Sequence, residues 1–530
     1  MWLKAKNRHN TRGGLDISGY EEQKLENLKP SSTKSRSKRS WFIQHIRWKQ
    51  LIILWVISLI IVNYFERVKP YYTLKKCMWK KWEDWPSESD PHHTVIIGDP
   101  QIVDEYSYPS RGWIGMKITQ FFSDNYLHRN HNLINRVLKP DSIIFSGDLF
   151  DGGREWNDTR WIKEYKRFNN VFNPLEGVRQ FRQIPGNHDV GFGNGVDFAK
   201  YARFKAYFGD ADEVVTLGNH SIVLIDTVSL SCSEDENVSK RSREFLDSFK
   251  ESSPYKQHPR IVFSHVPLYR FNEFQKCGSL RESKSKFPVV RGKQYQTVLE
   301  YQLSTEILNN IEPIMLFSGD DHDYCHVRHP ISSNAEHTQD KFTFTENDHP
   351  GVEYADEVTL KVSSMTGGIK RPGIQLLSMW NPGGEENLTW KSTHSGLKTV
   401  DSKTAKTHLC YLPSGLQPLI HYATFVALGI FWIYVCSFNV NLGRRLHSSF
   451  KKGLQRFVGI LGKIYRGGSQ SVELPHLKGK KPPSLLKRYV DSIIIEWDIE
   501  RENDFTTFLA NSFIFVATLF FTLLWYFNSI

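Results

Sequence analysis

Short apolar runs, each closed by a glycine or a polar cluster, punctuate the middle of the chain. His93–Ile97, Ser142–Phe145, Gln180–Ile184, Ser221–Asp226, Arg260–Phe263 and Ile314–Phe317 have the length and branched side chains of buried strands. Between them, Gly115–Leu138, Arg160–Phe172, Asp197–Phe208, Lys240–Phe249 and Gln296–Asn309 carry apolar residues at helical spacing. Two later runs, Val358–Val362 and Ile374–Ser378, are expected as strands of a second sheet. The alternation predicts an α/β (α+β) fold, a mixed β-sandwich with helices on its outer faces. No internal repeat accompanies it.

Three longer apolar runs frame this region. Leu51–Phe65 carries no charge and, extended back to Trp48, is just long enough to cross a bilayer; no small-residue cleavage site follows it. Leu419–Val440 and Phe505–Ile530 are the other two, and both are too uniformly apolar for ordinary core helices. Charge then orients them. Met1–Gln50 holds 12 Lys/Arg against four acidic residues, and Arg444–Arg488 holds 12 against one. Removing both leaves 44 basic and 52 acidic residues, so the formal +11 belongs to two short segments. The main body has no basic face, which argues against nucleic acid as a partner.

Basic flanks stay in the cytosol. The expected order is a basic cytosolic tail (1–47), a first span (48–65), a luminal stalk (66–91), a luminal folded domain (92–400), a linker (401–418), a second span (419–440), a basic cytosolic loop (441–504) and a third span (505–530). Ser31–Ser40 and Gly467–Ser484 have linker composition. The N-glycosylation sequons at Asn157, Asn219, Asn237 and Asn387 all fall in the expected luminal part. Cys77, Cys232, Cys277, Cys325 and Cys410 fall there too, an odd number whose pairing spacing does not reveal.

Five polar clusters each follow an apolar strand: Gly98-Asp99-Pro100-Gln101, Gly147-Asp148-Leu149-Phe150-Asp151, Gly186-Asn187-His188-Asp189, Ser264-His265-Val266-Pro267 and Gly319-Asp320-Asp321-His322. Singly, an Asp after Gly at a strand end is a turn residue and a lone His a satisfied polar group. Five in succession, with Asp, Asn and His at the key points, instead describe loops converging on one site. Arg154, Trp156, Tyr269 and Arg270 lie just beyond these loops and read equally as phosphate or sugar contacts and as solvated surface. His326 and His329 read as ordinary surface histidines.

The succession resembles the calcineurin-like metallophosphoesterase superfamily, whose signature runs GDxH, GDxxD, GNH[DE], H, GHxH; the resemblance covers Ile97 to Asp323. More narrowly, GDPQIVD, SHVPLYR and SGDDHDYC resemble the fungal branch of GPI-anchor ethanolamine-phosphate phosphodiesterases. The resemblance implies a four-layer sandwich and a pair of divalent metal ions. By position, Asp99 and His322 would hold the first ion, Asp148 would bridge both, and Asn187, His265 and Asp320 would hold the second. Gln101 stands where the superfamily has a histidine, so it is a candidate ligand only through a neutral amide oxygen. Asp320 likewise replaces a histidine. This oxygen-rich set favours manganese.

Two ions about 3.5–4 Å apart activate water and clamp a phosphate for in-line attack. His188 would be the acid that protonates the leaving oxygen, and Asp151 would orient it. The implied activity is a phosphodiesterase removing ethanolamine phosphate from a mannose of a GPI anchor, in the endoplasmic reticulum membrane or the Golgi. The implied partners are the GPI-anchored substrate, the membrane and cargo-transport proteins. A luminal phosphatase on another substrate and a non-catalytic GPI-cargo factor on the same fold are the alternatives.

Overall fold

The apolar runs are buried on both faces, which is why they read as continuous rather than alternating. A computed structural model describes residues 45–250, 254–292, 295–331, 353–382, 400–401, 404–438 and 505–529, with scattered residues between 445 and 456. The strands are β1 (His92–Ile97), β2 (Ser142–Phe145), β3 (Arg179–Phe181), β4 (Glu213–Leu217), β5 (His220–Leu224), β6 (Arg260–Phe263), β7 (Met315–Ser318), β8 (Cys325–Ile331), β9 (Glu353–Thr359), β10 (Gly373–Met379), β11 (Val400–Asp401) and β12 (Ala405–Tyr411). They form two six-stranded sheets, ordered β11-β12-β10-β1-β2-β3 and β4-β5-β6-β7-β9-β8. β1, β2 and β3 run parallel, as do β5, β6, β7 and β9.

Alternate residues of one strand face different cores. Ile96, Ile144, Ile222, Ile261 and Leu377 meet between the sheets. Their neighbours Val95, Ile143, Val223, Val262 and Leu376 face outward to the helices instead. Those helices include α2 (Trp113–Val137), α3 (Asp158–Val171), α4 (Phe198–Phe208), α5 (Glu236–Asp247) and α6 (Tyr301–Ile311). The result is the four-layer sandwich, helices outside and two sheets within.

Three expectations need correction. β10 is not in the second sheet: it lies antiparallel to β1 in the first, with β12 on its other side, and all seven of its residues are buried. The stretch 401–418 is not simply a linker, because it contains β12. Nor is 66–91 merely a stalk. Cys77 is disulfide-bonded to Cys410 of β12, and Trp79 and Trp82 are buried in the main core. Trp79 Nε1 donates to Leu138 O at 2.7 Å, so the indole satisfies its polar edge while burying its rings. A second disulfide joins Cys277 and Cys325, and the buried Cys232 and Cys436 take part in neither bond.

Among the described residues, three helices are long and apolar enough to cross a membrane: α1 (Trp48–Lys75), α7 (Leu416–Phe438) and α8 (Phe505–Asn528). Helix α1 outruns the expected span and makes a π-helical turn at Tyr64–Val68. Pro70, which lacks an N–H, follows this turn, and a helix commonly adapts that way to a proline. The chain divides into two compact units, residues 50–432 with 513–530 and residues 1–49 with 433–512. In the first unit, Glu66 is buried between Arg129 of α2 and the Tyr422 hydroxyl of α7, which donates to it at 2.5 Å. In the second, Asn511 receives Arg47 N–H at 2.9 Å and donates to His45 O at 2.9 Å. Most of the tail 1–47 and of the loop 441–504, and the sequon Asn387, lie outside the described residues.

The Cys77–Cys410 bond closes a loop of 333 residues. Cys410→Ser should therefore lower the unfolding free energy by about 2–4 kcal/mol, read as an earlier denaturant midpoint at unchanged slope. An unmoved midpoint would mean that packing of Trp79 and Trp82 alone holds the segment.

Candidate metal centre

The parallel strands deliver their polar clusters to one edge. Asp99 follows β1, Asp148 follows β2, Asn187 opens a short turn after β3, His265 follows β6 and Asp320 follows β7. Reaching inward from such short loops forces unusual backbone. Among the described residues, nine non-glycine residues have positive φ and five of them are here: Asp99 (41°), Gln101 (33°), Asp148 (49°), Asp320 (65°) and His322 (65°). Such strain concentrates where function requires a fixed geometry. Gly147 (φ 96°) packs so closely that a Cβ would lie 2.6 Å from His265 Nδ1. At Gly186 a Cβ would lie 2.0 Å from Asp148 Oδ1. These glycines let the loops close around the side chains.

Asp99, Asp148 and His265 each offer a ligand atom within 4.8 Å of the others, and all three are buried. His265 Nε2 lies 3.3 Å from Asp148 Oδ1, 3.2 Å from Asn187 Oδ1 and 3.8 Å from Asp320 Oδ1. Its Nδ1 meets Ser146 O at 2.9 Å, which holds Nε2 as the free lone pair facing the carboxylates. His322 is fixed in the same way, Nδ1 to Gly367 O at 3.1 Å. The Asp320 amide donates to Asp99 Oδ1 at 3.0 Å, while Asp99 Oδ2 is buried with no hydrogen-bond partner.

That orphaned anionic oxygen tests whether the residues fit a cation. Burial pushes the Asp99 and Asp320 carboxyls up, Asp320 to about 7. His265 is pushed up to about 9: burial opposes its charge, and Asp148, Asp99 and Asp320 outweigh burial. Left to itself, the cluster would balance its charge by holding protons on its own ligands. Divalent ions do the same without occupying those ligand atoms, so the residues fit a metal centre.

Gln101 enters the site through Asp148. Its Nε2 donates to Asp148 Oδ2 at 2.9 Å and its backbone N–H to Asp148 O at 2.9 Å. The side chain at 101 thus braces the carboxylate expected to bridge. Asp189, a residue the sequence reading passed over, locks two loops together: its buried carboxylate accepts from Gly186 N, Leu149 N and Phe150 N. Its place as the last residue of Gly-Asn-His-Asp was the available signal.

His188 N–H donates to Asp148 Oδ1 at 2.9 Å, and its ring Nδ1 lies 2.7 Å from Asp151 O and 3.2 Å from Asp151 Oδ1. Burial opposes the imidazolium, but Asp148 and Asp151 push its pKa up to about 10.

The residues just beyond the loops divide. Arg154 Nη1 donates to Asn187 O at 2.9 Å and so steadies a ligand loop. Trp156 is buried with Nε1 on Asp104 Oδ2, and Tyr269 packs against Phe271 and Tyr301. Arg270 is buried against Glu357 at 2.9 Å. His329 is no surface residue: it is buried 2.7 Å from the same carboxylate, because a buried anion needs its full set of donors. His326 is half-buried and paired with Asp356.

Residues 89–324 match the family described as calcineurin-like phosphoesterase. Over 377 residues the chain is 44% identical to Cell division control protein 1 of Saccharomyces cerevisiae, covering 71% of this chain and 72% of that one. The chain belongs to this phosphoesterase family. Metallophosphoesterase 1 homolog of Drosophila melanogaster is 24% identical over 293 residues, 52% of this chain and 75% of its own. Metallophosphoesterase 1 of Mus musculus is 27% identical over 211 residues, 37% of this chain and 52% of its own. Membership makes the protein a metal-dependent phosphoesterase, and the Asp/His cluster is compatible with the family's dinuclear divalent centre.

Metal content separates the roles of these residues. Asp148→Asn should remove at least one of about two bound ions and abolish phosphoester hydrolysis. Gln101→Ala should keep both ions at saturation while weakening their affinity by about 10–100-fold. Elemental analysis and metal titration read both, and loss of an ion from Gln101→Ala at saturation would make Gln101 a direct ligand.

Proposed function

We propose that the protein is a two-metal phosphodiesterase that acts on a membrane-held substrate in the secretory-pathway lumen, removing ethanolamine phosphate from a mannose of GPI anchors. The observation carrying the hydrolytic part is the His188–Asp151 pair beside the Asp99/Asp148/His265 cluster. Asp99, Asp148, Asn187, His265, Asp320 and His322 would hold the metals, with Gln101 supporting Asp148. Bound there, two divalent ions supply Lewis-acid polarisation of the phosphoryl group and a more acidic water. The hard-oxygen donors at 99, 148, 187 and 320 favour manganese.

The chain's own residues do the rest. Asp148 accepts the His188 amide, which sets the imidazole at the cluster's edge. Asp151 engages Nδ1 with its carbonyl and carboxylate, leaving Nε2 to pass a proton to the departing oxygen. Asp189 keeps the Asp148 and His188 loops in register throughout.

The substrate rests on the motif resemblance and on the flanking apolar helices, which would keep the site near lipid. Two disulfides support an oxidising compartment. The sequon asparagines Asn157, Asn219 and Asn237 are exposed, as luminal glycosylation requires. The endoplasmic reticulum is the proposed residence, with the Golgi as the alternative.

Mass spectrometry of GPI glycans from cells lacking the protein should show ethanolamine phosphate retained on one mannose. An unchanged profile would sink the substrate assignment while leaving the phosphodiesterase chemistry standing. The proton donor has a separate test. A group whose pKa is raised works as an acid below that pKa and fails above it. Asp151→Asn removes one of the charges holding His188 up, so the alkaline limb of the pH–rate profile should move to lower pH, with the acid limb in place. A limb that stays put would reduce Asp151 to a loop-capping role.

A further inference from the structure

Helix α2 is apolar on two sides. Met116 and Leu127 lie buried toward the core. Roughly opposite, by the 100° turn per residue of a helix, stand Ile114, Ile118, Phe121 and Phe122, while Trp113 is exposed at the helix's first position. Trp113 is 74% exposed, Ile114 65% and Ile118 53%. An outward face of this size on a helix of a folded domain calls for a cover.

Its far end shows what the cover is. Phe121 packs against Phe520 and Phe527 of α8, with ring centroids 6.0 and 5.1 Å apart, and Phe122 packs against Phe527 at 6.3 Å. Both phenylalanines join the apolar cluster formed by α1, α7 and α8. Phe527 and Phe520 stand one and eight residues before the end of α8, so Phe121 meets this helix within about 12 Å of its end. Phe520 and Phe521 are themselves 50% and 65% exposed, as side chains facing hydrocarbon are. The outward face of α2 therefore continues a surface already at membrane depth. Arg111 and Lys117 flank it with long basic side chains, the pattern of a helix seated in a lipid interface.

We propose that the N-terminal half of α2, residues 113–122, is an interfacial membrane helix whose Ile114–Ile118 face is buried in the lipid leaflet next to α8, with Trp113 at its exposed first position. The occupant is the bilayer that holds the three spans, not a second protein. The consequence reaches the metal centre. Gln120 Nε2, on the buried side of α2, donates to Val103 O at 3.2 Å, two residues after Gln101. Tyr108, in the loop between them, donates to Thr366 O at 3.3 Å, beside the Gly367 carbonyl that holds His322. The seated helix thus sets one wall of the catalytic mouth against the membrane surface. The inference rests on the helices being spans and is independent of the glycolipid assignment.

The test uses the full chain in phosphatidylcholine vesicles at low protein density, with a bimane fluorophore on cysteine introduced by Ile114→Cys, Ile118→Cys or, as an aqueous control, Thr159→Cys. The unsubstituted protein corrects for labelling at Cys232 and Cys436. An unfolding midpoint at the parent's value reports that each labelled protein is folded. Lipid carrying a nitroxide high on its acyl chain should quench positions 114 and 118 several-fold more than 159, and aqueous iodide should do the reverse. Iodide quenching at 114 and 118 equal to that at 159 overturns the proposal. Protection from iodide without quenching by lipid overturns it too, since that outcome means a protein covers the face.

Discussion

Everything at the catalytic edge depends on one electrostatic constraint: Asp99 and Asp148 are ionisable groups almost wholly removed from water. A carboxylate in that position needs positive charge at bonding distance or it takes up a proton. The fold accepts this by surrounding the pair with His265, His322 and His188, and by leaving one Asp99 oxygen with no protein partner. The positive-φ backbone at five of these positions follows from the same demand, since extended or helical loops would not turn the carboxylates inward. Packing behind the loops then has to be rigid. The buried Arg270–Glu357–His329 set, with Ser318 and Thr359, stiffens the strands on which His265 and Asp320 stand.

Much of this was legible in the chain because the informative signal is local. A strand followed at once by Gly-Asp or Gly-Asn-His declares both its end and its chemistry, so β1, β2, β7 and their loops read directly. Helices α2, α3 and α4 read nearly as well, since an apolar stripe needs no distant partner to be seen. What escaped was set by contacts far along the chain. β10 has the same apolar character wherever it pairs, and only its register with Thr94 and Val95 assigns it to the first sheet. β12 mixes Lys406, Thr407 and His408 with apolar residues, so a strand in the middle of a sheet passed for a linker. Trp79 and Trp82 read as a stalk because indole tolerates both water and core. His329 reads as surface until Glu357, packed beside it, comes into view.

Anchoring and catalysis share parts. Arg129 of α2 and Tyr422 of α7 converge on Glu66 of α1, and such a buried, partly ionic contact adds more to geometric definition than to stability. The same helix α2 supports the Gln101 loop through Gln120. A change at the lipid end of α2 is therefore transmitted to the mouth of the site through one rigid element.

The position of β1 carries a cost for biosynthesis. β1 leaves the ribosome early, yet β10, one of the two strands that flank it, ends at Met379, and the partner of Cys77 is residue 410. At about 5–20 residues per second, the first sheet waits on the order of tens of seconds with an open central edge and an unpaired thiol. Throughout that interval the open edge is exposed to other unfinished chains. For a protein wired this way, folding yield should depend on protection of that edge and that thiol more than its final stability would suggest.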